Sequence, residues 1–396
     1  MTSLITNTSA MVALQTLRGI NNGLDATNTR VSTGLRINSA QDGAAYWSIA
    51  TTTRSDNGAL GAAKDALALG KSSVDVAKTG MDEALDALKQ VKNLLVTASS
   101  PDADRAKIQQ EIKIQLDRIN GAANSASTSG NNWLSVDSAA TGYNATKSVV
   151  GSFSRSATGV SIDTIDIDTS GVKLYDSNAA VGTVVTAELN NATATVAAGV
   201  LDIALGAGAV YTQANGSNKS GSYVADGATT SAAIKTAFDT FVGTGTDGIN
   251  DAAVADNNSK LGIMDKVRAA YSTEADGTGG VVTVSTIKDI DISKLTGSAN
   301  DLMAISNYAS IVDEAIGDMT DANTTLGANA ARIASQSNFA QALIDANDRA
   351  IGALVDADME AESTKLKALQ TQQQLAIQSL SIANSSTQNV LSLFRS

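Results

Sequence analysis

The side chains able to do chemistry in this 396-residue chain are carboxylates, hydroxyls, amides and lysines, because it contains no histidine and no cysteine. That excludes Ser-His-Asp and Cys-His nucleophile systems, disulfides, Cys/His zinc sites and the HExxH metalloprotease helix. Lysine–serine and paired-carboxylate catalysis stay formally open. Acidic pairs such as Asp166/Asp168 and Asp289/Asp291 have a spacing that catalytic or calcium-binding carboxylates also use. Alternation on the wet face of a strand produces the same spacing, and that reading is preferred. Without histidine the usual acid–base group near neutral pH is missing. Asn-x-Ser/Thr triplets at Asn144, Asn191 and Asn215 are what chance supplies in a chain rich in these residues. No catalytic, cofactor or metal residue is nominated, and no enzyme is expected.

Charge and hydropathy narrow the partners. The formal charge is −12, which argues against binding nucleic acid by phosphate neutralisation. No apolar run is long enough to cross a membrane, and the opening MTSLITNTSAMVALQTLRG lacks the basic and continuous apolar regions of a cleavable signal peptide. Lack of cysteine fits a reducing compartment or an outside location without disulfides. Hydrophobic residues make up 43% but aromatics only 4%, a composition for close helix–helix packing.

Since no site presents itself, the information lies in the elements. Ala10, Leu14, Leu17, Asn21, Leu24, Asn28, Val31 and Leu35 follow heptad spacing with two polar interruptions. A second seam runs Leu60, Ala63, Leu67, Gly70, Val74, Ala77, Met81, Ala84, Leu88, Val91, Leu95, with Gly70 its poor member. Pro101-Asp102 reads as the start of the next helix, which carries Ile108, Ile112, Leu116 and Ile119 and ends between Gly121 and Gly130. A third seam spans Ile305 to Ile351, a helix of roughly 70 Å, interrupted at Gly352. The last runs Leu366, Leu369, Gln373, Ala376, Leu380, Ala383, Thr387, Val390, Phe394.

Between about residues 140 and 298, leucine gives way to Gly, Thr, Ser, Ala, Asn and Asp. β-like runs at 160–168, 182–189 and 281–287 are separated by glycine-rich turns, and Ala232–Phe241 reads as a short helix. The expected fold is mainly α with a β insertion. A long antiparallel, coiled-coil-like helical bundle is built by both termini, and the middle forms a small β-rich outer domain. The closing VLSLFRS stays apolar, which suggests burial in an assembly.

Several blocks carry a resemblance. Residues 32–50 read STGLRINSAQDGAAYWSIA, similar to the SSGLRINSAKDDAAG-x-AI block of bacterial flagellins. DADMEAEST (356–364) resembles the family's DAD-x-A-x-E, VLSLFR (390–395) its VLSLLR, and QQEIKIQLDRI (109–119) its Q-x-E-I-x-x-R-L-x-E-I helix. The likeness covers roughly 1–140 and 300–396. Tyr46-Trp47 replace a common Gly-Leu pair, Gln41 a frequent lysine, and Asn131-Asn132-Trp133 a Phe-Asn-Gly. These departures resemble the rhizobial branch.

The resemblance implies a structural subunit polymerising into the extracellular flagellar filament, exported unfolded through the flagellar type III apparatus. Implied segments are 1–40 and 354–396 as inner-tube helices, 41–176 and 297–353 as the outer-tube rod, and 177–296 as a variable β-rich surface domain. Implied partners are further copies of the chain, other flagellins, the filament cap and hook-associated proteins, and an export chaperone, with neither nucleic acid nor membrane insertion. A hook–filament junction protein and a secreted coiled-coil adhesin are the alternatives. Expected subunit-interface residues are Leu14, Leu17, Leu24, Leu35, Arg36, Ile37, Tyr46, Trp47, Leu369, Leu380, Leu391 and Phe394. Leu35-Arg36-Ile37-Asn38 is either a contact turn between inner and outer tube or a plain helix connector. Tyr46 and Trp47 are either rod core or an aromatic contact between subunits. Gln90, Leu94 and Glu111 match the family's innate-receptor surface, where Gln90 removes an arginine. In a lone subunit the stretches 1–38 and 356–396 are expected to be disordered or partly so.

Overall fold

The computed structural model describes residues 7–156, 159–178, 210–212, 221–230, 260–266, 268–273 and 278–393. Its helices are α1 (Thr8–Thr33), α2 (Ala40–Ala98), α3 (Arg105–Ser125), α4 (Ala299–Val355) and α5 (Met359–Leu393). Among the described residues ten strands lie between α3 and α4. They are β1 (Ser127–Thr128), β2 (Asn131–Asn132), β3 (Ser135–Val136), β4 (Thr146–Ser156), β5 (Gly159–Asp168), β6 (Tyr175–Asp176), β7 (Val210–Thr212), β8 (Gly221–Thr230), β9 (Arg268–Thr273) and β10 (Thr278–Ser285). The mainly helical fold with a β-rich middle is therefore the one expected.

Helix ends follow local chemistry. The Asn7 side chain accepts the Ala10 N–H at 3.0 Å and starts α1. Gly34 ends it at φ 72°, a left-handed turn that glycine adopts without a Cβ clash, with its N–H on the Arg30 carbonyl. Asp104 caps α3 by accepting the Lys107 N–H at 3.2 Å, so the helix begins at Arg105 rather than at Pro101. Asp358 accepts the N–H groups of Glu360 and Ala361 and starts α5. Gly352 was expected to interrupt the fourth helix, but α4 continues through it to Val355. A helical glycine costs about 1 kcal/mol, which a long packed helix absorbs.

The chain divides into two units. The central unit comprises Asp65–Ser152 and Ile162–Ser337. Here α2 and α4 run antiparallel, tied by Lys92–Asp313 (2.5 Å) and by Asn323 donating to Asp82 (2.5 Å). Leu67, Met81, Leu88 and Leu95 of α2 are fully buried with Ile112 and Ile119 of α3 and Tyr308 of α4. Each such side chain contributes roughly 1.5–3 kcal/mol by leaving water. Gly70 is not a defect in the seam: a Cβ there would lie 2.3 Å from a Val149 methyl, so the missing side chain admits β4.

The sheet order β7-β8-β10-β9 is antiparallel throughout, with Val282 facing Tyr223 and Tyr271 on either side. Asn307 of α4 donates to Thr283 and accepts from Ser272, fastening β10 and β9 to the helix. β5 covers the expected 160–168 run, and β10 most of 281–287. The run 182–189 and the helix 232–241 lie outside the described residues.

The terminal unit comprises the described residues of Met1–Lys64, Phe153–Ser161 and Asn338–Ser396. Within it α1 packs along α5, and the first part of α2 along the end of α4 through Asn57–Asp348 and Lys64–Gln341 bonds. Within one chain α1 and α5 pair as helices. Each supplies the other's apolar partner. Their burial is shallow: Thr27 is the one buried residue of α1, and no described side chain of α5 is buried.

Candidate assembly surface

Asp166 and Asp168 are exposed on β5 while Ile165 and Ile167 between them are buried, the alternation of a half-wet strand. Asp289 and Asp291 lie in a loop instead of on a strand face; Thr286 donates to Asp289 and the Ser293 N–H to Asp291. Among the described residues no group of three or more carboxylates is arranged to hold a metal ion. No described helix is long and apolar enough to cross a membrane.

What the terminal unit does present is apolar surface. Gln373 donates to Asn21 at 2.7 Å, Asn7 to the Ala383 carbonyl at 3.1 Å, and Arg30 pairs with Glu362 at 3.1 Å. These bonds fix an antiparallel register. Along α5 the half-buried line is Leu366, Leu369, Gln373, Ala376, Leu380 and Ala383, as the spacing predicts. On α1 it is Ala10, Ala13, Leu17, Ile20, Leu24 and Val31, with the buried Thr27 between the last two. Leu14 and Asn28, both placed on the seam from sequence, are exposed in the single chain, Leu14 by 40%. The observed line keeps the seven-residue repeat of Ala10, Leu17, Leu24 and Val31 but alternates it with Ala13, Ile20 and Thr27, so Leu14 and Asn28, one residue further on, turn about 100° away from α5.

The turn between α1 and α2 is clasped to the one between α4 and α5. The N–H groups of Arg36 and Ile37 both donate to the Val355 carbonyl, and the Ala357 N–H donates to Gly34. The Arg36 guanidinium donates to the Leu354 carbonyl at 2.8 Å. Ile37 is buried with Ala50, Ile351 and Val355, Leu35 packs against this cluster, and Arg36 stays exposed. Asp42 accepts from the Ser39 N–H, the Ser39 hydroxyl and the Asn38 N–H, which together hold its carboxyl below the usual range.

Tyr46 and Trp47 are 50% and 38% exposed, which excludes the rod-core reading. Helical geometry puts them on either flank of the buried line through Ala50, where none of the described residues covers them fully. Leu17, Leu24, Leu369 and Leu380 are half-buried. The side chain of Leu391 and the whole of Phe394 lie outside the described residues. In the central unit Gln90 and Glu111 are exposed, and Leu94 packs partly against the core.

The sequence seams missed a second class of residue. Met11, Val12, Ile49, Phe339, Leu375, Ile377 and Ile382 are large, apolar and more than half exposed. Their signal was available: large apolar residues placed off the heptad line of a helix whose outer face should be polar.

The model of the bacterial flagellin N-terminal helical region matches residues 4–139, and that of the C-terminal helical region residues 309–394. The chain belongs to the bacterial flagellin family. It is 42% identical to Flagellin D of Rhizobium meliloti (strain 1021) over 422 aligned residues, and 41% identical to Flagellin A of Rhizobium meliloti over 411, in both cases across 100% of each chain. Its identity to the flagellin of Brucella melitensis biotype 1 is 31%, again over both full lengths. The flagellin blocks at 32–50 and 356–364 thus coincide with the clasp, and both matched regions contain an exposed apolar helix face.

Proposed function

We propose that this chain is a filament-forming flagellin whose terminal unit builds the wall by packing against further copies. As a flagellin it is a structural subunit of the extracellular flagellar filament. The observation that carries the reading is the α1–α5 pair: two helices with little buried core bear exposed Met11, Val12, Leu14, Leu375, Ile377 and Ile382. A helix pair so wet on its outside gains from neighbours what it lacks within.

Residues 1–40 and 354–396 then line the inner tube, 41–176 and 297–353 the outer tube, and 177–296 faces water. The interface set is Leu14, Leu17, Leu24, Leu35, Arg36, Ile37, Tyr46, Trp47, Leu369, Leu380, Leu391 and Phe394. Other flagellins co-assemble, and cap, hook-associated proteins and an export chaperone are the remaining partners. Export runs through the flagellar type III apparatus, for which a chain without cysteine suits passage in the unfolded state. Gln90, Leu94 and Glu111 form a face that lacks an arginine fork for an innate receptor. Purified subunits added to filament fragments should elongate them under electron microscopy; seeds that never lengthen would sink this reading.

A further inference from the structure

The α1–α5 pair has two unlike long sides. One is a groove of about 520 Å³, lined by Ala13, Thr16 and Ile20 of α1 and by Leu375, Ala376 and Ser379 of α5. Small side chains form much of its floor. The other side carries a ridge. At 3.6 residues per turn, Met11 and Leu14 project from the flank of α1 away from Thr16, and Ile377 from the flank of α5 away from Leu375. They are 59%, 40% and 53% exposed. The register set by the Asn7–Ala383 and Asn21–Gln373 bonds puts groove and ridge at the same height along the pair.

We propose that the groove receives the Met11–Leu14–Ile377 ridge of a second copy of this chain, so that the terminal units stack head-to-tail. A contact between like patches closes on itself as a dimer, whereas a patch meeting a different patch propagates into a ring or an open helix. Ridge against ridge would leave the small-residue groove empty and wet. Ridge in groove covers both apolar surfaces at once, and every added copy displays a fresh groove or ridge. This inference rests on the filament reading and adds which face meets which.

The cysteine-free sequence permits a clean test. In Met11→Cys/Thr16→Cys the two thiols lie on opposite flanks of one helix, too far around it to bond within a copy. Ile377→Cys/Leu375→Cys repeats the design on α5. Each is assembled on seeds alone or, where it does not elongate alone, with an equal amount of unsubstituted chain, and is then oxidised. The expected result is a ladder of trimers and larger species from at least one double variant and no cross-link from any single variant. Dimers from the single variants would mean a like-to-like contact. Filaments of both double variants without a ladder would place the ridge elsewhere, including against a copy's own terminal residues. Failure of either design to enter filaments even when mixed with unsubstituted chain also overturns the proposal, because small thiols at these sites should be tolerated. If the unsubstituted chain itself does not elongate seeds, the filament reading has failed rather than the choice of faces.

Discussion

The two units solve the same heptad problem with opposite outcomes. Of the sixteen large apolar side chains exposed among the described residues, twelve belong to the terminal unit and four to the central one. In the central unit three helices and the strand region surround one seam, so Leu67, Met81, Leu88 and Leu95 lose all their exposure. In the terminal unit α1 meets α5 and little else, and a two-helix contact buries one stripe per helix. Similar apolar spacing therefore yields a core in one place and an adhesive surface in the other. The number of neighbours decides, not the pattern.

The largest effects should come from testing that contrast directly. Leu380→Asp puts a charge on a half-buried seam that assembly is expected to close, so seeded elongation should stop. The thermal melt of the central unit should stay within a degree or two of the unsubstituted chain. Leu88→Ala, at a fully buried position, should do the reverse in kind: it removes about 2–5 kcal/mol of stability and lowers the melting temperature by calorimetry. Normal filaments from Leu380→Asp would show that the terminal seam is not a wall contact.

Acid should separate the units next. Lys173 and Asp176 form an ion pair of 2.7 Å whose side chains are almost wholly buried in the central unit. Burial raises the Asp176 pKa, but bonds from the Lys173 ammonium and from the Ser138 and Asn178 N–H groups outweigh it and hold the carboxyl below its ordinary value. A carboxylate with a depressed folded pKa stabilises above its unfolded pKa, near 4, and that stabilisation is lost as pH falls through the folded value. The central-unit melting temperature should thus fall as pH drops below about 4. In Asp176→Asn it should start lower and show a shallower decline over the same range. An unchanged slope would assign the acid sensitivity to other carboxylates, with Asp82, also depressed, the first to examine.

The sequence made the central unit legible almost residue by residue. Every member of the seam from Leu67 to Leu95 is buried, Gly70 included. Several neighbours hold that stripe in place, so a simple repeat describes it. Leu14 and Asn28 were misplaced because α1 keeps the seven-residue repeat but pairs Ala10, Leu17, Leu24 and Val31 with Ala13, Ile20 and Thr27, an alternative whose small Ala13 and Thr27 a search for large apolar residues passes over. The clasp at Leu35–Ile37 was visible as a motif but not as geometry, since its bonds run from backbone N–H groups to the Val355 carbonyl, and any residue but proline could supply those. The Lys173–Asp176 pair was invisible for another reason: its burial depends on segments around Lys260 and Asp265, far away along the chain.

The smallest effect should be at Gly19, in the middle of α1. Nothing lies within 4 Å of where its Cβ would be, so Gly19→Ala introduces no clash in the single subunit. Alanine replaces the most helix-averse ordinary residue and restricts the unfolded chain, so the helix should gain about 0.5–1 kcal/mol. Circular dichroism of the subunit should show a slightly higher helical signal and a terminal-unit transition raised by a few degrees, with the central-unit melt unmoved. Gly19 falls on the flank of α1 away from its half-buried line, so seeded elongation reads that flank separately. Elongation at an unchanged or higher rate is expected if the wall contact lies along the seam, the groove and the ridge. A more stable subunit that no longer elongates would mean that a neighbouring copy comes within a methyl's breadth of Gly19, and the contact surface would then have to be extended around the outside of α1.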